Sequence, residues 1–142
     1  MKLEPSRILS LERLSMTRAA TISGLHDQSF ELRKRRDEAD RRYSFLRSAH
    51  AIDDKFDDEV KAALEGTPID PKTNEKYFHV LKEAVAAKQL IAGLTAEIAD
   101  IEGRANDAIS ARNASAALAR RCREYAVNQG LVCPPSLLPE VF

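Results

Sequence analysis

The residues best placed to do chemistry are six cations crowded into ten positions, between Arg33 and Arg42. These cations are Arg33, Lys34, Arg35, Arg36, Arg41 and Arg42. A dense row of positive side chains can neutralise nucleic-acid phosphates. Oppositely charged residues also recur four positions apart in this run, however, and on a helix each such pair contributes roughly 0.2–0.5 kcal/mol. The spacing therefore favours a solvated, salt-bridged helix, with phosphate contact by the six cations as the alternative.

An acidic group follows shortly afterwards and could suggest a cation site. It consists of Asp53, Asp54, Asp57, Asp58 and Glu59. A calcium loop requires alternating ligands and a glycine, and this group has neither. The three histidines lie far apart and have no partner at a metal-ligand spacing. We therefore expect no metal site, and we expect the acidic group to be solvated or to pair with a basic surface on another chain.

Cys122 and Cys133 are the only two cysteines. They have neither a CxxC spacing nor an accompanying histidine pair, so they do not form a zinc signature. We expect ordinary reduced thiols. The alternative is an intermolecular disulfide through Cys133, which lies in a proline-rich tail.

The common catalytic motifs are missing from this sequence. It contains no glycine-rich phosphate loop, no serine-hydrolase GxSxG and no HExxH zinc-protease motif. We therefore expect no catalytic, cofactor-binding or metal-ligating residues, and a protein that is not an enzyme.

The composition indicates a protein with a thin core. Hydrophobic residues make up 44% of the chain, but there is no Trp and only 6% of residues are aromatic. Such a core suits helices that share a narrow apolar seam. The formal net charge is zero, which argues against a polyanion binder held by overall charge. No apolar stretch is long enough for membrane insertion or Sec export, so we expect a cytoplasmic protein or part of a cytoplasmically assembled particle.

The N-terminal half shows a heptad stripe from Ile8 to Leu46, interrupted by serines and arginines. Near Phe45 the apolar pattern changes phase, as a stutter would produce. We predict one helix to about Glu65, stopped by Gly66. The alternative is a three-helix bundle, in which the chain breaks near residues 51–54 and a short middle helix, 54–65, folds back with Asp53 or Asp54 as its N-cap.

The segment 66–70 contains the glycine and proline residues of a hairpin tip, and Asp70-Pro71 would begin a second helix. An alternating three- and four-residue step then marks ten seam positions. They are Tyr77, Val80, Ala84, Ala87, Ile91, Leu94, Ile98, Ile101, Ala105 and Ala108. The predicted fold is an all-α antiparallel coiled-coil hairpin over residues 1–130, with arms at about 6–65 and 71–128 and with Gln129-Gly130 ending the second arm.

Residues 131–142 form a tail that combines proline with large apolar residues. Proline favours an extended conformation, so the tail could lie in a groove with Leu137, Leu138 and Phe142 as anchors. Packing on its own helices, docking on a partner and disorder all remain open.

In outline, this hairpin resembles bacteriophage assembly and neck components and the short coiled-coil proteins of flagellar-type export machines, without a shared motif. The leading hypothesis is a non-enzymatic structural or adaptor subunit, either a homo-oligomer or part of a larger complex such as a bacteriophage-type particle. The alternatives are a nucleic-acid-binding packaging or regulatory accessory protein and a flagellar-type export chaperone.

Overall fold

The computed structural model describes residues 5–50, 55–69 and 75–138, and this part of the chain contains helices and turns but no strand. Its helices are α1 (Pro5–His50), α2 (Lys55–Leu64) and α3 (Glu75–Asn128). The long helices α1 and α3 pack together, and the short helix α2 lies between them in sequence. The predicted all-α fold is confirmed. Among the described residues, no helix has both the length and the apolarity needed to cross a membrane.

The chain divides into two compact units, which we call the first and second unit. The first unit comprises Met1–Gln28 and Ile101–Phe142, and the second comprises Ser29–Asp100. The part of the tail that the structure describes, residues 131–138, therefore belongs to the first unit.

In the second unit, α2 folds back against the end of α1. The Tyr43 hydroxyl donates a hydrogen bond to the Asp57 carboxylate at 2.7 Å, and Arg47 pairs with the same carboxylate at 2.9 Å. In one continuous helix, residues 43 and 57 would be about 21 Å apart along the axis. The chain must therefore turn between α1 and α2, so the alternative with a short middle helix is correct and the single helix to Glu65 is wrong. Residues 51–54, including the proposed N-caps, lie outside the described residues.

Phe56 of α2 fills the centre of the second unit's core. Its side chain is 1% exposed, and its ring centroid lies 6.1 Å from that of Tyr43 and 6.3 Å from that of Tyr77. Leu46 of α1 is buried in the same core, whereas Phe45 is 61% exposed. The predicted change of phase at Phe45 is therefore wrong. The stripe keeps its phase through Leu46, and α2 supplies the next core residues from a separate helix.

The first unit has a narrower core of small side chains. Ala119 is fully buried, and Ser15 and Ser115 are also buried in the seam. The Ser115 hydroxyl donates to the Arg112 carbonyl at 2.9 Å, and the Ser15 hydroxyl approaches the same oxygen at 3.5 Å. Arg18 donates to a backbone carbonyl of α3 at 2.8 Å. The polar positions that interrupt the sequence pattern are therefore part of the packed seam.

Both predicted glycine stops are confirmed. Gly66 has a φ of 101°, which favours glycine. The Thr67 N–H donates to the Ala62 carbonyl at 3.0 Å and the Gly66 N–H to the Ala63 carbonyl at 3.1 Å, which is a Schellman motif. Gly130, with a φ of 69°, closes α3 with the same pair of bonds. The proposed start of the second arm at Asp70-Pro71 lies outside the described residues.

Candidate functional site

A buried carboxylate, that of Glu12, lies where the tail meets the helices of the first unit. Glu12 projects from α1 and is only 1% exposed. A charged group can be buried at acceptable cost only when it is paired and hydrogen-bonded. Glu12 meets this requirement through contacts with α3 and with the tail.

Arg123 of α3 forms a two-pronged pair with Glu12. Its Nε donates to Oε1 at 2.6 Å and its Nη2 to Oε2 at 3.0 Å, the fork geometry that makes arginine–carboxylate pairs strong. Its remaining Nη1 donates to the backbone carbonyl of Pro134. All three prongs of the guanidinium are therefore occupied.

The tail completes the set of partners around Glu12. The Leu137 N–H donates to Oε2 at 2.9 Å, and the Ser136 hydroxyl donates to Oε1 at 3.2 Å. We call this arrangement of Glu12, Arg123, Pro134, Ser136 and Leu137 the tail clamp. It ties residues 134–137 to both long helices.

The electrostatics of the tail clamp favour the charged forms of both Glu12 and Arg123. The hydrogen bond from Arg123 holds the pKa of Glu12 below its usual value, against burial, which raises it; the Leu137 amide acts in the same direction as Arg123. The same hydrogen bond raises the pKa of Arg123. The pair is therefore ionised at neutral pH.

The sequence pattern does not predict the tail clamp. Glu12 and Arg123 are 111 residues apart and read as ordinary polar positions on long helices. One signal was available: each directly follows a seam residue, Leu11 and Cys122 respectively. Charged residues that flank a seam often pair between helices, but the spacing alone does not show which ones meet.

The predicted tail anchors have different environments. Leu137 is 40% exposed and Leu138 is half-buried, while Phe142 lies outside the described residues. The described tail is therefore held by hydrogen bonds of its backbone and of Ser136, and the side chains of Leu137 and Leu138 are only partly covered. Docking of the tail on a partner stays a prediction.

A groove of about 450 Å³ lies beside the clamp in the first unit. Met16 of α1 and Ala116 of α3 contribute apolar surface, and Leu138 of the tail lines it as well. Arg112 and Arg120 of α3 add two guanidinium groups. The groove therefore combines an apolar lining with positive charge.

The ten predicted seam residues all lie on the inner side of α3. Six are buried: Val80, Ala84, Ala87, Leu94, Ile98 and Ala105. Four are half-buried: Tyr77, Ile91, Ile101 and Ala108. These residues pack the helices, and apart from the phenol of Tyr77 their side chains are small or aliphatic.

The basic run of α1 is partly used within the second unit. Arg42 pairs with Glu83 of α3 at 2.6 Å, so its partner is on another helix. Arg41 donates to the backbone carbonyl of Asp37 at 3.4 Å, and Arg36 is half-buried beside the seam. Arg33, Lys34 and Arg35 are exposed. Phosphate contact by this run stays a prediction.

The acidic group and the two cysteines carry side chains of the types that ligate metals. Within residues 5–50, 55–69 and 75–138, no group of three or more His, Cys, Asp or Glu side chains could hold a metal ion. Asp57, from the acidic group, is bound to Tyr43 and Arg47. Cys122 and Cys133 are free and half-buried, and an intermolecular disulfide through Cys133 stays a prediction.

Comparison of this chain with known protein families, with curated proteins and with solved structures finds no match.

Proposed function

We propose that this chain is a non-enzymatic structural or adaptor subunit of a larger protein assembly, of the kind found in a bacteriophage-type particle. The observation that supports the proposal is an exposed apolar row on α3 in the first unit. Leu118 and Tyr125 are 46% and 49% exposed, and Cys122 between them is half-buried. Steps of four and three residues place all three on one side of the helix.

An apolar row with this spacing fits a second helix better than a small substrate. Helix-in-groove recognition uses anchors at intervals of three, four and seven residues. Exposed apolar side chains that cluster on one face mark interaction surfaces, whereas isolated ones need no explanation. The partner is a second copy of this chain or another subunit of the same assembly.

The test is the assembly state of the purified protein and of matched variants. Light scattering coupled to size exclusion should give a mass above that of the monomer, or co-purification should recover a protein partner. Leu118→Ser and Tyr125→Ser should weaken this association, because each places a polar group in the interface. Leu90→Ser is the control, since Leu90 is 48% exposed on α3 in the second unit.

Circular dichroism should show unchanged helicity in all three variants. A chain that is monomeric at every concentration and that recovers no partner from its native source would refute the proposed function. If Leu90→Ser weakened association as much as Tyr125→Ser, the apolar row on α3 would not be the interaction surface.

A further inference from the structure

We propose that the groove of the first unit binds an acidic peptide segment that carries an apolar side chain, supplied by a partner protein. This inference rests on the proposed function, because it names the chemistry of the partner that the adaptor would hold. The evidence for the inference is the set of residues that line the groove and the charge around the groove.

The apolar part of the groove is formed by α1, α3 and the tail. Met16 is 48% exposed, and Ala116 and Leu138 are half-buried. Ser15 and Ala116 are small, so the space between α1 and α3 stays open at this level. A volume of about 450 Å³ is within the range of ligand sites and can take an aliphatic or aromatic side chain.

The charged part of the groove comes from Arg112 and Arg120 of α3. Arg120 is exposed and, among the residues that the structure describes, has no hydrogen-bond or ion-pair partner. Within the described part of the chain, the Arg112 guanidinium donates a 3.3 Å hydrogen bond to the neighbouring Asn113 side chain. Guanidinium groups bind carboxylates in a two-pronged geometry, so these two residues suit aspartate or glutamate side chains.

The surrounding charge favours the same ligand. Residues 6–19 and 111–124 contain seven arginines and two glutamates, with no lysine or aspartate. Glu12 and Arg123 neutralise each other in the tail clamp, which leaves six arginines and one glutamate in these two segments. A local excess of positive charge attracts acidic partners and speeds their association.

The side chains that line the groove favour a peptide ligand over a nucleic acid. Bases bind single-strand grooves by stacking on aromatic side chains, and none of the groove-lining residues that the structure describes is aromatic. A methionine and a leucine instead suit an aliphatic anchor, and methionine adapts its shape to varied partners. The lining therefore favours a peptide with carboxylates on either side of a leucine-like residue.

The experiment titrates the full chain against a fluorescein-labelled peptide of glutamates flanking two leucines, at physiological salt, and follows fluorescence anisotropy. Arg120→Glu should weaken binding about tenfold, because it replaces a charge-assisted hydrogen bond by repulsion. Arg121→Glu is the matched control: Arg121 is the next residue, is exposed and does not line the groove. It should change affinity about twofold or less, because salt screens exposed charges beyond roughly 8 Å.

Two altered peptides test the two halves of the site. Replacing the glutamates by lysines should abolish binding, and replacing the leucines by serines should weaken it. Met16→Ser should likewise weaken binding of the original peptide. Circular dichroism of each variant establishes that its helices are intact.

Several results would overturn the inference. These are failure of the acidic peptide to bind, equal losses with Arg120→Glu and Arg121→Glu, and tighter binding of duplex DNA than of the peptide. If the protein assembles with partners but does not bind the peptide, only this inference fails. If the peptide binds but the chain is monomeric and recovers no partner, the proposed function fails.

Discussion

Replacing Glu12 by glutamine is the most direct test of the tail clamp. Glutamine has nearly the same shape as glutamate but no charge, so it leaves Arg123 without a counter-ion. The Glu12 side chain is 1% exposed and that of Arg123 is 19% exposed, so water cannot fully replace the lost charge. The amide oxygen of the glutamine can still accept a hydrogen bond. Its –NH₂ group, however, would face the N–H donors that now bind the second carboxylate oxygen.

The expected loss is about 3 kcal/mol of unfolding free energy, the lower end for removing one partner of a buried ion pair. This is a large share of the ~5–15 kcal/mol that stabilises an ordinary domain. Urea denaturation followed by circular dichroism measures the loss. Hydrogen exchange provides a local readout, because the Leu137 N–H should lose its protection when its acceptor changes.

Glu124→Gln is the matched control, since Glu124 is exposed on the same helix as Arg123. It should change stability by about 0.5 kcal/mol or less. An unchanged denaturation midpoint together with unchanged Leu137 protection in Glu12→Gln would refute the clamp.

The pH dependence gives the same prediction an independent check. Because the pKa of Glu12 is lowered in the fold, its stabilisation is present above the ordinary value of 4.5 and is lost as pH falls below that value. The wild-type protein should therefore lose more stability on acidification than Glu12→Gln. Equal acid sensitivity of the two proteins would contradict this account.

Four further predictions concern other parts of the fold. Burial and the hydrogen bond to Asp57 raise the pKa of Tyr43 from 10.0 to about 12. Stability should therefore fall as pH rises between these two values, and Tyr43→Phe should lessen that fall in urea denaturation at each pH. Phe56→Ala should cost about 3–5 kcal/mol, measured by urea denaturation, because it empties the centre of the second unit's core. Gly66→Ala should cost about 1 kcal/mol in the same assay, because alanine at a φ of 101° is strained. Cys133→Ser should remove any covalent dimer that non-reducing electrophoresis detects after oxidation.

Much of the fold was predictable because its signals are local. The alternating step from Tyr77 to Ala108 depends only on the helix repeat, and all ten residues lie buried or half-buried. Gly66 and Gly130 end helices because glycine accepts the left-handed backbone that the closing motif needs. Such features are determined within a few residues of chain.

The fold-back of α2 was harder to predict because it depends on a contact between helices. Phe45 and Phe56 are both apolar, and a shifted heptad pattern accommodates both in one helix. The packing of Phe56 between Tyr43 and Tyr77 decides the matter, because that arrangement requires the chain to turn. Sequence spacing alone left both solutions open.

The tail clamp was not predictable for a related reason. Glu12 gains its partners from α3 and from a proline-rich segment that has no periodic pattern. A glutamate beside a heptad seam is ordinarily solvated, and its burial becomes favourable only when Arg123 and the tail backbone converge on it. The position of residues 134–137 therefore depends on the folded helix pair.

The small core of the first unit explains why a polar clamp is useful there. Ala119 and Ser115 allow the helices to approach closely, but they bury little apolar surface. Apolar contacts of this kind discriminate weakly between alternative alignments of the two helices, whereas a buried ion pair strongly disfavours an alignment that separates its charges. We therefore expect Glu12 and Arg123 to help specify the pairing of α1 with α3 at this level. Because the same two residues hold the backbone of Pro134 and Leu137, residues 134–137 are an integral part of the first unit.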